Sequence, residues 1–260
     1  MKTLWLALPA YNEERSLPAL LVRCIPVAEA LRADGRQFRV IVVDDGSKDK
    51  TIEVAQSFAD RLGIEVVPHV VNQGLGAALR TCLTSALERA SDEDAIATMD
   101  ADNTHDPALL PAMWRFLDEQ KGDVVIASRY VKGGDEVGLT PLRKVLSRGA
   151  STLLTLTVPV KGARDYTCGF RVYRATTLRS AASQWKEKLI EESGFTCMAE
   201  VLLKLGRGGA RVLEWPLILR YDLKEGASKM KIMRTITRYF AMAWRVRTGP
   251  AYRVVQGPTR

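Results

Sequence analysis

The sequence has few cysteines and almost no histidine. Its 260 residues include four cysteines, at positions 24, 82, 168 and 197, and two histidines, His69 and His105. The cysteines form no Cys-x-x-Cys pair, which argues against a structural zinc site, and they are too sparse for a disulfide framework, so a reducing compartment is expected. Two isolated histidines are too few for a metal site, and we predict a structural role for both.

Long apolar runs are also absent. No stretch approaches the roughly 18 apolar residues that a membrane-spanning helix needs. Met1 and Lys2 lead directly into a strand pattern rather than into a signal peptide. These absences predict a cytoplasmic protein that is either soluble or attached peripherally to the cytoplasmic face of a membrane.

Positive charge is in excess. Thirty-eight Lys and Arg residues stand against 30 Asp and Glu residues, which gives a formal net charge of +8. The acidic residues lie mostly before residue 129, and basic residues dominate after it. The excess predicts an anionic partner: a nucleic acid, an acidic lipid or a phosphorylated substrate.

Apolar strand patterns alternate with helical patterns in the first half of the chain. Strands are predicted at residues 3–8, 39–43, 64–71, 95–99 and 123–127, each followed by a helix or a polar loop. This alternation predicts an α/β fold with a mostly parallel, Rossmann-like sheet flanked by helices. Ligands of such sheets bind beyond the carboxyl ends of the strands.

The strand at 95–99 ends in two aspartates, Asp100 and Asp102. Hard carboxylate oxygens in this position suit Mg²⁺ or Mn²⁺, which bind through one or two carboxylates plus substrate phosphates. An acidic turn that caps a helix at Pro107 is the alternative, and it explains Asp106 but not the other two. We therefore predict a metal site at Asp100 and Asp102.

Two more aspartates, Asp44 and Asp45, follow the second strand and precede a glycine. Acids at such a strand end commonly bind the ribose of a nucleotide. A turn followed by a helix cap would explain Gly46, Ser47 and Asp49 but leaves the two acids unexplained. Gly74 and Gly76 fit no phosphate-binding fingerprint, and we expect them to allow close packing at a helix start.

The ends of four strands thus carry polar groups that should meet at one edge of the sheet. In order, the motifs are Pro-Ala-Tyr-Asn-Glu at 9–13, Val-Val-Asp-Asp-Gly-Ser-Lys-Asp at 42–49, Met-Asp-Ala-Asp at 99–102 and Ser-Arg-Tyr at 128–130. This set resembles the family-two glycosyltransferases, which have the GT-A fold. The segments at 141–147, 165–171 and 226–229 resemble, within that family, the polyprenyl-phosphate (dolichol-phosphate) mannosyltransferases.

The resemblance implies a role for individual residues. It assigns nucleotide-sugar binding to residues of the strand ends and of one later loop: Pro9, Tyr11, Glu13, Val42, Asp44, Asp45, Asp100, Ala101, Asp102, Arg129 and Lys229. It assigns the acceptor phosphate to Arg143 and Ser147, the metal to Asp100, Asp102 and Thr104, and catalysis to Asp100, Asp102, Arg129 and Arg143. The family usually has Gln at the position of Thr104, Arg at that of Leu223 and Ser at that of Cys168, and this sequence departs from the family at all three positions.

The implied reaction is metal-dependent, inverting transfer of a sugar to a polyprenyl phosphate, with GDP-mannose as the leading donor. A phosphate acceptor is already an anionic nucleophile at pH 7 and needs cations, which Arg143, Lys144 and Arg148 would supply. A UDP-sugar donor or a hydroxyl acceptor is the alternative. A hydroxyl would need a base, for which Glu191 or Glu192 is available, although both acids could equally mark a helix start.

The implied architecture is a single GT-A catalytic domain at 1–247, with a nucleotide-binding half at 1–130, an acceptor-binding half at 131–247 and a loose tail at 248–260. A basic amphipathic helix is predicted at 232–247. It suits either a membrane surface or packing on its own domain. A nucleic-acid-binding protein is the non-enzyme alternative, and we predict against it because aromatic residues do not alternate with basic ones as in stacking modules.

Overall fold

The computed structural model describes residues 1–223, 232–250 and 252–254. The strands are β1 Thr3–Ala10, β2 Gln37–Asp44, β3 Ile64–Pro68, β4 Ala95–Thr98, β5 Val124–Ser128, β6 Asp135–Val137, β7 Arg171–Arg174, β8 Val212–Pro216 and β9 Ile218–Arg220. The helices are α1 Leu17–Ala33, α2 Thr51–Gln56, α3 Ala59–Leu62, α4 Leu75–Arg89, α5 Leu110–Glu119, α6 Pro141–Thr157, α7 Ala175–Trp185, α8 Thr196–Arg207 and α9 Ile232–Thr248.

A seven-stranded sheet in the order β3-β2-β1-β4-β7-β5-β8 forms the centre of the molecule. All neighbouring pairs are parallel except those of β7, which runs antiparallel to β4 and β5. Strand β2 shows why the sequence folds this way, since its β-branched residues 40–43 are completely buried, as a parallel strand covered on both faces requires. The predicted α/β fold with a mostly parallel sheet is confirmed.

Helices pack on the sheet in two groups. Helix α1 contacts α2 and α5, whereas α4 contacts α7 and α8, and α9 packs on α8 and α6. Within the described part of the chain no helix is long and apolar enough to cross a membrane. All four cysteines are buried free thiols, and burial raises the pKa of the Cys168 thiol to about 12.

The second half of the chain differs from its predicted elements. Residues 212–220 contribute two strands, because β8 joins the main sheet whereas β9 pairs with β6 in a separate two-stranded sheet. The helix predicted from 191 begins at Thr196, so Glu191 and Glu192 lie in a loop and are not a helix start.

The last described residues also pack on the domain. Val254 is buried and its N–H donates to the carbonyl of Gly208, while Tyr252 lies edge-on against Trp185 with ring centroids 5.1 Å apart. The prediction of a loose tail from 248 therefore does not describe residues 252–254.

Candidate functional site

A cleft of about 560 Å³ lies beyond the carboxyl ends of β1, β4 and β5. Most of the residues predicted to bind substrate or metal line it. They are Pro9, Tyr11, Glu13, Asp45, Asp100, Ala101, Asp102, Thr104, Arg129, Arg143 and Ser147. The topology therefore brings these residues of the two halves of the chain to one place.

Three predicted residues are not among those that line the cleft. Val42 is fully buried in β2, and the side chain of Asp44 is buried at the end of that strand. Lys229 lies outside the described residues, so its role remains a prediction.

The loops after β1 and β2 are joined by hydrogen bonds around Asn12. Its N–H donates to Ser47 Oγ at 2.8 Å, and its Oδ1 accepts from Lys48 N at 2.8 Å. The N–H of Glu13 donates to Thr51 Oγ1 at 2.8 Å. Asn12 has a φ of 52°, in the left-handed region that asparagine tolerates better than most residues. The motif at 9–13 is therefore held as one unit with the motif at 42–49.

Asp44 and Asp45 are adjacent but have different surroundings. Asp45 is largely structural, because its carboxylate accepts from the N–H groups of Gln73 and Gly74, at 2.9 and 2.8 Å, and contacts His69 Nδ1 at 2.8 Å. In Asp44, Oδ2 accepts from Ser47 N, whereas the buried Oδ1 has no hydrogen-bond partner among the described residues. A buried orphan acceptor is costly, and a ligand group that donates to it would remove that cost.

The loop after β4 presents Asp100 and Asp102 to the cleft. Asp102 Oδ1 accepts from both the hydroxyl and the N–H of Thr104, at 2.7 and 3.2 Å. The Thr104 hydroxyl therefore orients Asp102, while its own predicted contact with a metal stays a prediction. No group of three or more His, Cys, Asp or Glu side chains able to hold a metal occurs in the described part of the chain. Two carboxylates fit Mg²⁺ or Mn²⁺ when the phosphates of a nucleotide complete the ligand set.

Arg23 of α1 holds this loop from behind. Its Nη1 donates to Asn103 Oδ1 at 2.8 Å and to the His105 carbonyl at 3.3 Å, and its Nη2 lies 2.9 Å from Asp106 Oδ1. Asn103 has a φ of 61°, again in the left-handed region. The arginine thus fixes a strained turn that immediately follows Asp102.

Arg129, which follows β5, lies at the centre of a buried ion network. Its Nε and Nη2 each donate to Asp165 at 2.7 Å, Nη2 also donates to Thr167 Oγ1 at 2.7 Å, and Nη1 donates to Glu136 at 3.1 Å. Burial alone would lower the pKa of Arg129, but Asp165 outweighs it and the pKa is raised. Most donors of Arg129 are engaged within the protein, so it positions the cleft wall and has little left for a diphosphate.

The network continues to the residues predicted to hold an acceptor. The hydroxyl of Tyr130 donates to Ser147 Oγ at 2.9 Å, and Ser147 Oγ lies 3.3 Å from Thr167 Oγ1. Arg143, one turn earlier on α6, donates to the hydroxyl of Tyr221 at 2.5 Å. A cation and hydroxyl groups thus face the same end of the cleft, which suits an anion.

The proposed bases Glu191 and Glu192 are engaged in ion pairs. Glu191 lies 2.9 Å from Lys204 Nζ, and Glu192 lies 2.9 Å from Arg245 Nη2 and accepts from the Thr196 hydroxyl at 2.7 Å. Burial would raise the pKa of Glu191, but its contact with Lys204 outweighs it and the pKa is lowered. Neither residue lines the cleft, so neither is placed to act as a base.

Several residues of this site were not assigned by the sequence analysis. Asp165 and Arg23 bond partners far away in the chain, and Glu136 bonds Arg129, 7 positions earlier, but no sequence motif marks any of the three. Tyr239, which lines the cleft from α9, was counted only as part of an amphipathic helix. Its spacing with Met242, Ala243 and Val246 identified the buried face of that helix but not the cleft.

Comparisons with known proteins agree with this geometry. The profile described as "Glycosyl transferase family 2" matches residues 5–180. The chain is 33% identical to the undecaprenyl-phosphate mannosyltransferase of Micrococcus luteus, over 86% of this chain and 85% of that one. It is 29% identical to the dolichol-phosphate mannosyltransferase of Pyrococcus furiosus, over 92% of this chain but only 62% of that longer one. It is 32% identical, over 87% of its length, to a dolichyl-phosphate beta-glucosyltransferase of Trichomonas vaginalis, of which it covers 68%.

Among solved structures, the chain is similar to glucosyl-3-phosphoglycerate synthase from Mycobacterium tuberculosis. That crystal structure contains Mn²⁺, UDP and glucosyl-3-phosphoglycerate. The TM-score is 0.61 at 20% identity, covering 94% of this chain and 77% of the other. At this identity the likeness concerns the fold.

Proposed function

The chain belongs to glycosyltransferase family 2 and is a glycosyltransferase with the GT-A fold, and from this premise we propose that it transfers a sugar from a nucleotide donor to a polyprenyl phosphate at a membrane surface. One observation carries the proposal. The carboxylates of Asp100 and Asp102 share a cleft with an anion-binding end formed by Arg143 and Ser147. Such a cleft can hold a nucleoside diphosphate and a second phosphate at the same time.

A divalent cation is part of the proposal. Asp100 and Asp102 would hold Mg²⁺ or Mn²⁺, which supplies charge neutralisation to the leaving diphosphate when bound. The similar synthase from Mycobacterium tuberculosis was crystallised with Mn²⁺ and, in another structure, with Mg²⁺, each time with UDP. The hydrogen bonds from Thr104 to Asp102 would keep the carboxylate oriented toward that ion.

The acceptor would be held by cations and hydroxyls and would need no base. An acceptor phosphate carries its nucleophilic oxygen already deprotonated at pH 7, because the second pKa of a phosphate monoester is near 6. Arg143 and Ser147 would bind it, with direct attack on the anomeric carbon and inversion of configuration. The ion pairs of Glu191 and Glu192 argue against the alternative with a hydroxyl acceptor.

A patch of exposed apolar side chains on α6 and α9 supports the membrane part of the proposal. Leu142, Val145 and Leu156 of α6 are 64%, 67% and 77% exposed, and Phe240 and Trp244 of α9 are 54% and 71% exposed. Arg148 is also exposed on the same helix as the first three. Apolar side chains mixed with arginines are typical of surfaces that bind anionic lipid.

The first experiment measures transfer of radiolabelled mannose from GDP-mannose to polyprenyl phosphate with Mn²⁺ or Mg²⁺ present. Wild type should transfer the sugar, and Asp102→Asn and Arg143→Ala should each lower kcat/KM by at least about a hundredfold, because each removes a charged contact to a phosphate or its metal. Asp92→Asn and Arg115→Ala are matched controls at exposed ion pairs distant from the cleft. Turnover retained by either cleft variant would contradict the proposal.

The donor is identified by measuring the shift in unfolding temperature with GDP-mannose, UDP-glucose and their nucleoside diphosphates, each with and without Mn²⁺. The two mannosyltransferase relatives favour mannose. A second candidate is transfer of glucose from UDP-glucose, favoured by the beta-glucosyltransferase of Trichomonas vaginalis at nearly the same identity. Stabilisation by only one sugar nucleotide, dependent on metal, identifies the donor.

The membrane surface is tested by flotation with vesicles that contain anionic lipid. A Phe240→Ser/Trp244→Ser variant should lose vesicle binding and keep its folding stability, because both side chains are exposed on α9. Truncation of the helix would be less informative, since it also removes the buried Met242 and Val246. Equal flotation of the variant and the wild type would contradict the proposed binding to a membrane surface.

A further inference from the structure

A buried tyrosine of α9 lies on the wall of the cleft. Tyr239 is 6% exposed, and it lines the same cleft as Asp100, Arg143 and Ser147. Its helical neighbours Met242, Ala243 and Val246 are buried apolar residues. Among the residues whose side chains are described, Tyr239 is therefore the one through which the packed face of α9 reaches the site.

The hydroxyl of Tyr239 makes no hydrogen bond with another of the described residues. Buried tyrosines usually satisfy their hydroxyl, because leaving it without a partner costs free energy. Two tyrosines that contact the residues of the acceptor end obey that rule: Tyr130 donates to Ser147, and Tyr221 accepts from Arg143. A ligand in the cleft can supply the partner that the protein does not.

The charges around Tyr239 favour a neutral donor of a hydrogen bond. Burial raises the pKa of its phenol, and the effect of burial exceeds the opposing effect of the nearby Arg129 and Arg171. The hydroxyl therefore stays protonated across the physiological range. A phenol O–H bonds a phosphate oxygen without changing the net charge of the cleft, and hydrogen bonds to charged acceptors are the stronger ones.

Helix α9 is fixed on the domain by its arginines on both sides of Tyr239. Arg238 donates to Ser193 Oγ at 2.9 Å, and Arg245 donates to Glu192 and Glu200 at 2.9 Å each. Arg207 of α8 donates to the carbonyl of Val246. These contacts hold the tyrosine in place before any ligand arrives.

We propose that Tyr239 is a phosphate-binding residue, whose hydroxyl donates a hydrogen bond to a phosphate oxygen of a substrate bound in the cleft beside Arg143 and Ser147. This inference rests on the function proposed above for its choice of substrates. The phosphate belongs either to the lipid acceptor or to the nucleotide donor. In this proposal α9 has two roles: its packed face contributes Tyr239 to the active site, and its exposed face contacts the membrane surface.

The test is Tyr239→Phe, which removes the hydroxyl and keeps the buried ring. Tyr252→Phe is the matched control, since Tyr252 packs on Trp185 and does not line the cleft. Sugar transfer is measured with a short-chain polyprenyl phosphate that is soluble without membranes, so that attachment of the protein to a membrane does not affect the measured rate. Binding of GDP and UDP with Mn²⁺ is measured separately by calorimetry. Thermal unfolding of both variants reports their folding.

An acceptor KM raised about tenfold or more, with nucleotide affinity unchanged, assigns the bond to the acceptor phosphate. A nucleotide affinity weakened by a similar factor, with acceptor KM unchanged, assigns it to the donor. Tyr252→Phe should match wild type in every measurement. Unchanged constants in Tyr239→Phe, or a loss confined to kcat, would overturn the inference. A wild-type protein that transfers no sugar would refute the proposed function instead, and the calorimetry would still test Tyr239 against the nucleotide.

Discussion

The two walls of the cleft are built from different interactions. On the wall formed by the loops after β1 and β2, backbone N–H groups bond the side chains of Ser47, Asn12 and Thr51. On the opposite wall, the buried charges of Arg129, Asp165 and Glu136 bond one another. The first wall is held mainly by backbone N–H groups that bond side-chain oxygens, and the second is held by buried charged side chains that bond one another.

The difference determines how each wall responds to change. A neutral hydrogen bond contributes about 1 kcal/mol to stability, and its loss is local. A buried ion pair gains little over an apolar alternative, but removing one partner leaves an uncompensated charge and costs about 3–5 kcal/mol. We call the wall of Arg129, Asp165 and Glu136 the acceptor wall and the wall formed by the loops after β1 and β2 the nucleotide wall. We expect single substitutions to destabilise the protein more in the acceptor wall than in the nucleotide wall.

The largest expected effect is that of Asp165→Asn. Asp165 is fully buried and accepts two hydrogen bonds from the Arg129 guanidinium and further bonds from backbone N–H groups, including that of Cys168. We expect a loss of about 3–5 kcal/mol in the free energy of unfolding, measured by urea denaturation. The control Asp34→Asn, at an exposed pair with Arg115, should cost less than about 1 kcal/mol. Equal losses of unfolding free energy in the two variants would contradict the view that the buried charges of the acceptor wall are the more sensitive to substitution.

The same substitution has a signature in the pH dependence of stability. Burial would raise the pKa of Asp165, but Arg129 outweighs it and the pKa is lowered in the folded protein. The carboxylate therefore contributes stability that is complete above its unfolded pKa, near 4, and is lost as the pH falls through the folded value. Wild type should lose stability on acidification below about pH 4, and Asp165→Asn should lack that part of the loss. Parallel pH profiles would contradict the assignment.

The next effect concerns a close contact outside both walls, between the start of α4 and the loop before α8. A Cβ on Gly76 would lie 1.8 Å from the carbonyl oxygen of Glu192, so Gly76→Ala must displace the loop that precedes α8. We expect a loss of about 1–3 kcal/mol, as for other overpacked sites. Gly149→Ala is the matched control, because nothing lies within 4 Å of its added Cβ on α6. It should stabilise the protein by roughly 0.5–1 kcal/mol through the gain in helix propensity.

The features that could be predicted from the sequence are those with a local pattern. The sheet, the clustering of the strand-end residues and the close packing at Gly76 followed from local patterns: apolar runs, adjacent acids and glycines at a helix start. The antiparallel β7 and the pairing of β6 with β9 depend on contacts between distant residues, as does the bond between Arg129 and Asp165, which are 36 positions apart. No periodicity encodes such pairings. The alternative of a helix start at Glu191 and Glu192 is also wrong, since α8 begins at Thr196.

A smaller effect concerns Arg23, which joins α1 to the loop after β4 at Asn103 and Asp106. Arg23→Ala should weaken binding of Mn²⁺ in the presence of a nucleoside diphosphate by about tenfold, because residues that hydrogen-bond to the surroundings of a metal ligand keep that ligand oriented. Electron paramagnetic resonance of free Mn²⁺ measures this affinity without turnover. Arg32→Ala, an exposed position on the same helix, is the control and should leave it unchanged. An unaltered affinity in Arg23→Ala would show that the loop holds Asp102 without help from α1.

The smallest effect distinguishes the buried part of the acceptor wall from its rim. Arg148 is 63% exposed, and its Nε lies 4.0 Å from Glu136 Oε2, an atom with no hydrogen-bond partner in the described structure. At this exposure the pair should contribute less than about 1 kcal/mol, so Arg148→Ala should unfold almost as wild type does. The acceptor KM should rise about two- to fivefold at low ionic strength and return toward the wild-type value in high salt, because an exposed cation acts through a screened field. A salt-independent increase would mean that Arg148 contacts the acceptor directly, and would extend the buried anion site outward to the rim.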